Sequence, residues 1–265
     1  MSDLTRPAPR HGLSLTYLGL ELKRAGTRII TLFFCAAMPI GFYLLFGSMQ
    51  GWDETAGRGN VNAVMLIFMA FYGAAMTAST EALTIAYERP QGWNRALRLT
   101  PLRPWAYIGM KTLAALIAAL ASVVLLLVAA LLWGRAQMPV WMWLAGIGIA
   151  MLGAVTFGAI GQTITLLLKP DVSTGLIIPI ILVSCFLSGV VAIPLSGSVF
   201  EVVQKVVPLG GLVNLTLSLF GPEATLSDAG GLAPGDWRIW ANIIGWIILG
   251  VVGSAWAWSR DTKRQ

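Results

Sequence analysis

The sequence predicts an all-α membrane protein with six transmembrane helices, and three observations carry that prediction. Hydrophobic residues make up 57% of the 265 positions and charged residues only 11%, a balance far from that of water-soluble domains. Apolar runs of about twenty residues, the length at which a helix crosses a bilayer, recur six times along the chain. The strict polar/apolar alternation of a membrane barrel strand is absent, and a lipid-exposed backbone must satisfy its own hydrogen bonds, so the runs read as helices. The whole chain, 1–265, reads as a single transmembrane domain.

In order, residues 1–9 are polar and proline-containing and are expected to be poorly ordered. Over residues 13–24, Leu15, Leu18 and Leu22 repeat at helical spacing, as do Leu13, Tyr17 and Leu20, with Glu21, Lys23 and Arg24 supplying charge. This pattern predicts an amphipathic helix along the membrane surface. No cleavable signal peptide is expected, because the first apolar run follows about 28 polar or mixed residues and is long enough to remain a span.

The first span is expected from about Ile29 to Gly47, followed by a short polar loop with Trp52, Asp53, Glu54 and Arg58. The second runs from Val61 to Ala86 and bears alanines at 70, 74, 78, 82 and 86, a small-residue stripe that admits a close neighbour. A polar stretch, Glu88 to Leu102, separates it from a third span that begins near Tyr107 or Thr112 and ends at Trp133. The fourth, Trp141 to about Leu168, has its own stripe in Gly146, Ala150, Ala154 and Gly158. The second and fourth spans are therefore expected to pack tightly together.

Lys169-Pro170-Asp171 predicts a tight polar turn before a fifth span, Gly175 to about Ile193, with a kink expected at Pro179. Within the region 194–220, Val199–Val207 and Leu209–Phe220 flank Pro208, and each is too short to span. Such segments beside full spans read as a re-entrant or interfacial pair. A Gly/Pro-rich loop, 221–235, leads to the sixth span, Trp237 to Trp258, and a basic tail.

Charge counting orients the chain. With both ends cytoplasmic, fourteen of the eighteen basic residues, including Arg89, Arg95, Arg98, Arg103 and Lys111, lie inside, and Arg58, Arg135, Lys205 and Arg238 lie outside. The tryptophans gather at both boundaries, leaving Trp246 alone in mid-span. Topology thus explains the net charge of +6, and no nucleic-acid partner is implied. A multi-pass location in a cell membrane, inner or plasma, follows.

Catalytic chemistry is sparse. Cys35 and Cys185 lie in apolar spans and read as small core hydrophobes, and the single histidine, His11, lies in the N-terminal tail. Ionisable groups within spans cost roughly 2.5 to 3.5 kcal/mol at the helix centre, so ion-driven carriers display them where they are used. Here Glu81, with Thr77 one turn before it, is the clear candidate for an intramembrane polar site; a packing or interfacial role is the alternative. Gly109-Met110-Lys111-Thr112 lacks the glycines of a nucleotide-binding loop. The chain is expected not to be an enzyme and to bind no metal or cofactor of its own, so any energy must arrive from another chain.

Two stretches add a resemblance. Glu88-Arg89, Gly92, Trp93, Leu97, Thr100-Pro101-Leu102, Trp105, Tyr107 and Lys111 resemble the pattern E-R-x-x-G-x-x-x-x-L-x-x-T-P-L of the type-2 ATP-binding-cassette (ABC) permeases. Leu187-Ser188-Gly189, then Pro194-Leu195 and Val207-Pro208-Leu209, resemble that family's second signature after the fifth span. The chain departs from the pattern at Pro90 and Gln91 and at Val190, Val191 and Ala192, where the family more often has charged and aromatic residues respectively.

The resemblance implies a permease that forms a homodimer, or a heterodimer with a sister permease, and docks separate ATPase subunits, which hold the ATP and magnesium. It assigns Glu88, Arg89, Gly92, Trp93, Leu97, Thr100 and Pro101 to ATPase coupling, and Leu187, Ser188, Gly189, Pro194 and Pro208 to a re-entrant outer gate. The charged and apolar residues of the loop suit a coupling element: Trp93, Leu97 and Leu99 can bury while Arg89, Arg95 and Arg98 orient. The expected function is export of an amphiphilic drug, lipid or glycoconjugate by alternating access, with membrane lipid around the subunit. Export of polysaccharide, which calls for an aromatic-lined channel, and a receptor or scaffold without transport remain as alternatives.

Overall fold

The structure, a computed structural model, describes residues 19–21, 23–24, 29–48, 53–88, 104–190, 198–221 and 235–261. Among them eight long or short helices follow one another: α1 (Ile29–Gly47), α2 (Val61–Glu88), α3 (Pro104–Trp133), α4 (Val140–Leu167), α5 (Pro170–Ser188), α6 (Ser198–Val206), α7 (Gly210–Phe220) and α8 (Trp237–Asp261). Residues 19–21 and 23–24 are also helical, within the stretch expected to form a surface helix. Five helices, α2, α3, α4, α5 and α8, are long and apolar enough to cross a membrane. In α1 the described side chains give a shorter apolar stretch, Cys35–Gly47. The chain is a multi-pass helical membrane protein.

The helix ends follow from local chemistry. Asn60 accepts the Ala63 backbone N–H at 3.0 Å and so caps the start of α2. Pro170, expected in a turn, is instead the first residue of α5, where its missing N–H costs nothing and its fixed φ suits the helix. The turn contracts to Leu168 and Lys169, and α5 starts five residues earlier than its apolar run. It also ends earlier, at Ser188, because Gly189 takes φ +81°. There Gly189 N–H donates to Phe186 O and Val190 N–H to Cys185 O, both at 3.2 Å, which is a Schellman turn.

One element went unread in the sequence. The loop after α1 forms a hairpin of two very short strands, β1 (Thr55–Ala56) and β2 (Gly59–Asn60), paired antiparallel. Three bonds tie it to two neighbouring segments. Arg58 N–H donates to Phe220 O at the end of α7 (2.9 Å), Asn60 N–H to Gln137 O in the α3–α4 loop (3.1 Å), and the Asn60 side-chain amide to Arg135 O (2.7 Å). Arg135 in turn reaches Asp53 at 3.4 Å and lies over the Trp133 ring.

The core is built around α2. Its most apolar window is 94% buried within the subunit, and it contacts α1, α3, α4, α5 and α7, most extensively α4. The small residues explain that contact: Gly158 faces Ala78, and Gly161 lies against the backbone of Ser79, where a Cβ would stand 3.2 Å from its Cα. Ser79 adds an interhelical bond to Phe157 O at 3.0 Å. On the far side α8 packs against α4, with Thr163 donating to Gly250 O at 2.9 Å.

Candidate functional site

At one end of the bundle, where α2 runs out toward the loop 88–102, four charges of the described residues gather. Lys111, on the first turns of α3, donates to Glu88 Oε1 at 2.6 Å, Glu21 Oε2 at 2.9 Å and Thr84 Oγ1 at 3.1 Å. An ammonium has three N–H donors, so each finds an acceptor. The lysine side chain is 5% exposed, Glu21 6% and Glu88 12%. Arg24, about half exposed, lies 3.5 Å from Glu21 and 3.7 Å from Glu88. Among the described residues two carboxylates and two cations meet here, and they join three segments remote in sequence: the N-terminal helical residues, the last turn of α2 and the start of α3.

Burying such ions is costly unless they are paired and hydrogen-bonded, so the arrangement fixes geometry more than it adds net stability. What it fixes is the root of the loop. Glu88 is the loop residue among the predicted coupling set that the structure describes; Arg89, Gly92, Trp93, Leu97, Thr100 and Pro101 lie outside the described residues. The sequence marked Lys111 as an inside-positive charge and as part of the family resemblance, without its pairing to Glu21 and Glu88.

Glu81 is partly buried on α2, two turns before Glu88. Thr77 is buried, and its hydroxyl donates to Gly73 O within its own helix at 2.8 Å. Among the described residues no three of His, Cys, Asp and Glu gather to hold a metal.

At the opposite end, the second predicted set centres on the break between α6 and α7. Ser188 is buried and donates to Cys185 O, while its own carbonyl accepts the Gln204 side-chain amide at 3.1 Å. Leu187 is partly buried on the last turn of α5, and Pro194 lies outside the described residues. Pro208 is buried in the break, where the chain turns sharply enough that a Cβ on Gly210 would collide with Gln204 O.

Two residues of α8 that the sequence did not single out for function hold this break. Asn242 donates to the carbonyls of Lys205, Val206 and Val207 at 2.8, 3.2 and 3.2 Å and accepts the Gly211 N–H at 3.2 Å. One turn on, Trp246 Nε1 donates to Val206 O at 2.8 Å. They satisfy the last carbonyls of α6 and an amide in the first turn of α7, groups a helix cannot pair internally. The signal was present: a tryptophan in mid-span with an asparagine four residues before it.

The family model of the ABC-2 type transporter matches residues 21–221, about three quarters of the chain. The chain belongs to the ABC-2 type transporter family. It is also similar to a Bacillus subtilis (strain 168) protein named "Putative transport permease YvfS", with 28% identity over 160 residues, 59% of this chain. The match spans 64% of that relative's length. In this ABC-2 type chain the matched segment opens at Glu21, in the charge cluster, and closes at Gly221, just past α7. The break-holding residues Asn242 and Trp246 lie beyond it.

Proposed function

We propose that the chain is the permease subunit of an ATP-driven ABC exporter, moving an amphiphilic drug, lipid or glycoconjugate outward by alternating access. In this reading six helices span the cell membrane, α1 included, both termini are cytoplasmic, and α6 and α7 dip in and return on the outer side. The subunit works as a homodimer or with a sister permease, and separate ATPase subunits bind ATP and magnesium.

The observation that carries the reading is the buried cluster of Glu21, Glu88 and Lys111. It roots the loop 88–102 in α2 and α3 and ties the surface segment to the same point. A loop so anchored can pass a push from an ATPase directly into the bundle, and family membership supplies the expectation that such a partner exists. The loop's own arginines and tryptophan supply the contact: Arg89 and Arg95 for orientation, Trp93 and Leu97 for burial.

The test is co-expression with a candidate ATPase subunit and reconstitution in vesicles. Replacing Trp93 and Leu97 by alanine is expected to leave the permease folded, to lower co-purification of the ATPase by about tenfold, the equivalent of ~1.4 kcal/mol, and to abolish ATP-dependent transport. Normal co-purification and transport in that variant would overturn the assignment of the loop.

A further inference from the structure

An open groove of about 360 Å³ lies on the outward face of α8 where it passes the end of α6. Its size falls within the roughly 300 to 1,000 Å³ of small-molecule sites. The floor is apolar, with Leu249, Ala241 and Gly245 beside the Trp246 ring. The polar groups of the floor are already committed: Asn242 and Trp246 spend their hydrogen bonds on the α6–α7 break.

What remains at the rim is Lys205, Arg238 and the exposed Trp237. All three are donors, and among the described residues the lining holds no carboxylate. Neither Lys205 nor Arg238 forms an ion pair among the described residues. The nearby Asp236 carboxylate accepts the backbone N–H of Arg238 at 2.9 Å and so caps α8. The flanking surface of α8, Trp240, Ile244 and Ile248, is exposed and apolar, as a face turned to lipid must be. A ligand for this groove needs an acceptor-rich anionic head and an apolar tail, in contact with the bilayer.

We infer that the groove holds one anionic phospholipid, its phosphate on Lys205 and Arg238 and an acyl chain along Trp246 and Leu249. The cations answer the phosphate by charge-assisted hydrogen bonds, and Trp237 lies where tryptophan favours the headgroup boundary. The site is separate from the loop 88–102 and does not depend on the transport reading. A lipid seated there covers the bond between Trp246 and Val206 and thereby steadies the break between α6 and α7.

The test uses the full chain purified in detergent and native mass spectrometry, with phosphatidylglycerol and phosphatidylcholine of the same acyl chains titrated separately. The expected result is one phosphatidylglycerol retained per chain at least ten times more tightly than phosphatidylcholine. Lys205→Gln with Arg238→Gln is expected to erase that preference. Gly245→Leu is expected to weaken retention without changing charge; a Cβ there meets nothing within 4 Å, so the variant fills the groove while the helix packing stands. Equal retention of both lipids by the native chain, or an undiminished preference in both variants, would overturn the inference. Displacement of the lipid by millimolar inorganic phosphate would also overturn it, by showing a site for a free anion.

Discussion

Lys111 shows how one side chain can set the geometry of a membrane subunit. With its three N–H groups on Glu21, Glu88 and Thr84, it is, among the described residues, the closest cation to two carboxylates that lie largely under cover, with Arg24 farther off. Lys111→Met leaves both without that cation, and removal of one partner from a buried pair typically costs about 3 to 5 kcal/mol. Thermal unfolding of the purified chain should show a clear drop in midpoint, partly restored when Glu88→Gln is added. A midpoint unchanged by Lys111→Met would mean that water or Arg24 replaces the lysine. None of this could be read from spacing, since Glu21 and Lys111 are 90 residues apart. An alternating or four-residue pattern reports neighbours along one helix, whereas this cluster is made by three segments meeting.

At the scale of elements, the α6–α7 break depends on α8. Asn242→Leu takes the side-chain partner from Lys205 O and the Gly211 amide, while Val206 O keeps Trp246 and Val207 O keeps the Gly210 N–H, at a cost of about 1 to 3 kcal/mol for each group left buried and unpaired. Hydrogen exchange should report this locally, with amides around 206–213 exchanging faster in Asn242→Leu while those in the middle of α4 keep their protection. Trp246→Phe, which removes one bond, is expected to have a smaller effect of about 1 kcal/mol.

The break itself was legible, because Pro208 parts two runs too short to cross a bilayer. Its support was only half legible: Trp246 in mid-span with Asn242 four residues before it was a signal, but nothing in the sequence placed the end of α6 beside them. The hairpin Thr55–Asn60 escaped for another reason, since two-residue strands are too short to show a period of two.

For the molecule as a whole, the packing of α2 with α4 and α7 is the element on which the others are assembled. At Gly153 a Cβ would stand 3.1 Å from Phe71 O and 3.4 Å from Leu212 Cδ1, so Gly153→Leu wedges α4 away from both α2 and α7. Gly148, on the same helix, meets nothing within 4 Å. The first substitution is expected to destroy monodisperse elution of the solubilised chain, and the second to leave it intact; equal behaviour would show that the bundle yields more readily than its contacts suggest. Here the sequence was informative, because the four-residue rhythm of small side chains on the second and fourth spans pointed to each other. It was less so for helix ends, as α5 shows, where a proline serves as a start and a glycine as a stop.

The burial of α2 carries a mechanical consequence. A helix of 28 residues is a rod of about 42 Å, and one gripped by five neighbours in a close-packed interior cannot slide through them without breaking many contacts at once. Work applied at its Glu88 end must therefore be shared with the helices that grip it. In the proposed function the rod would act as the axle of the subunit: it could turn or tilt only by carrying its neighbours along, so a small displacement at one membrane face would arrive at the other as a rocking of the bundle.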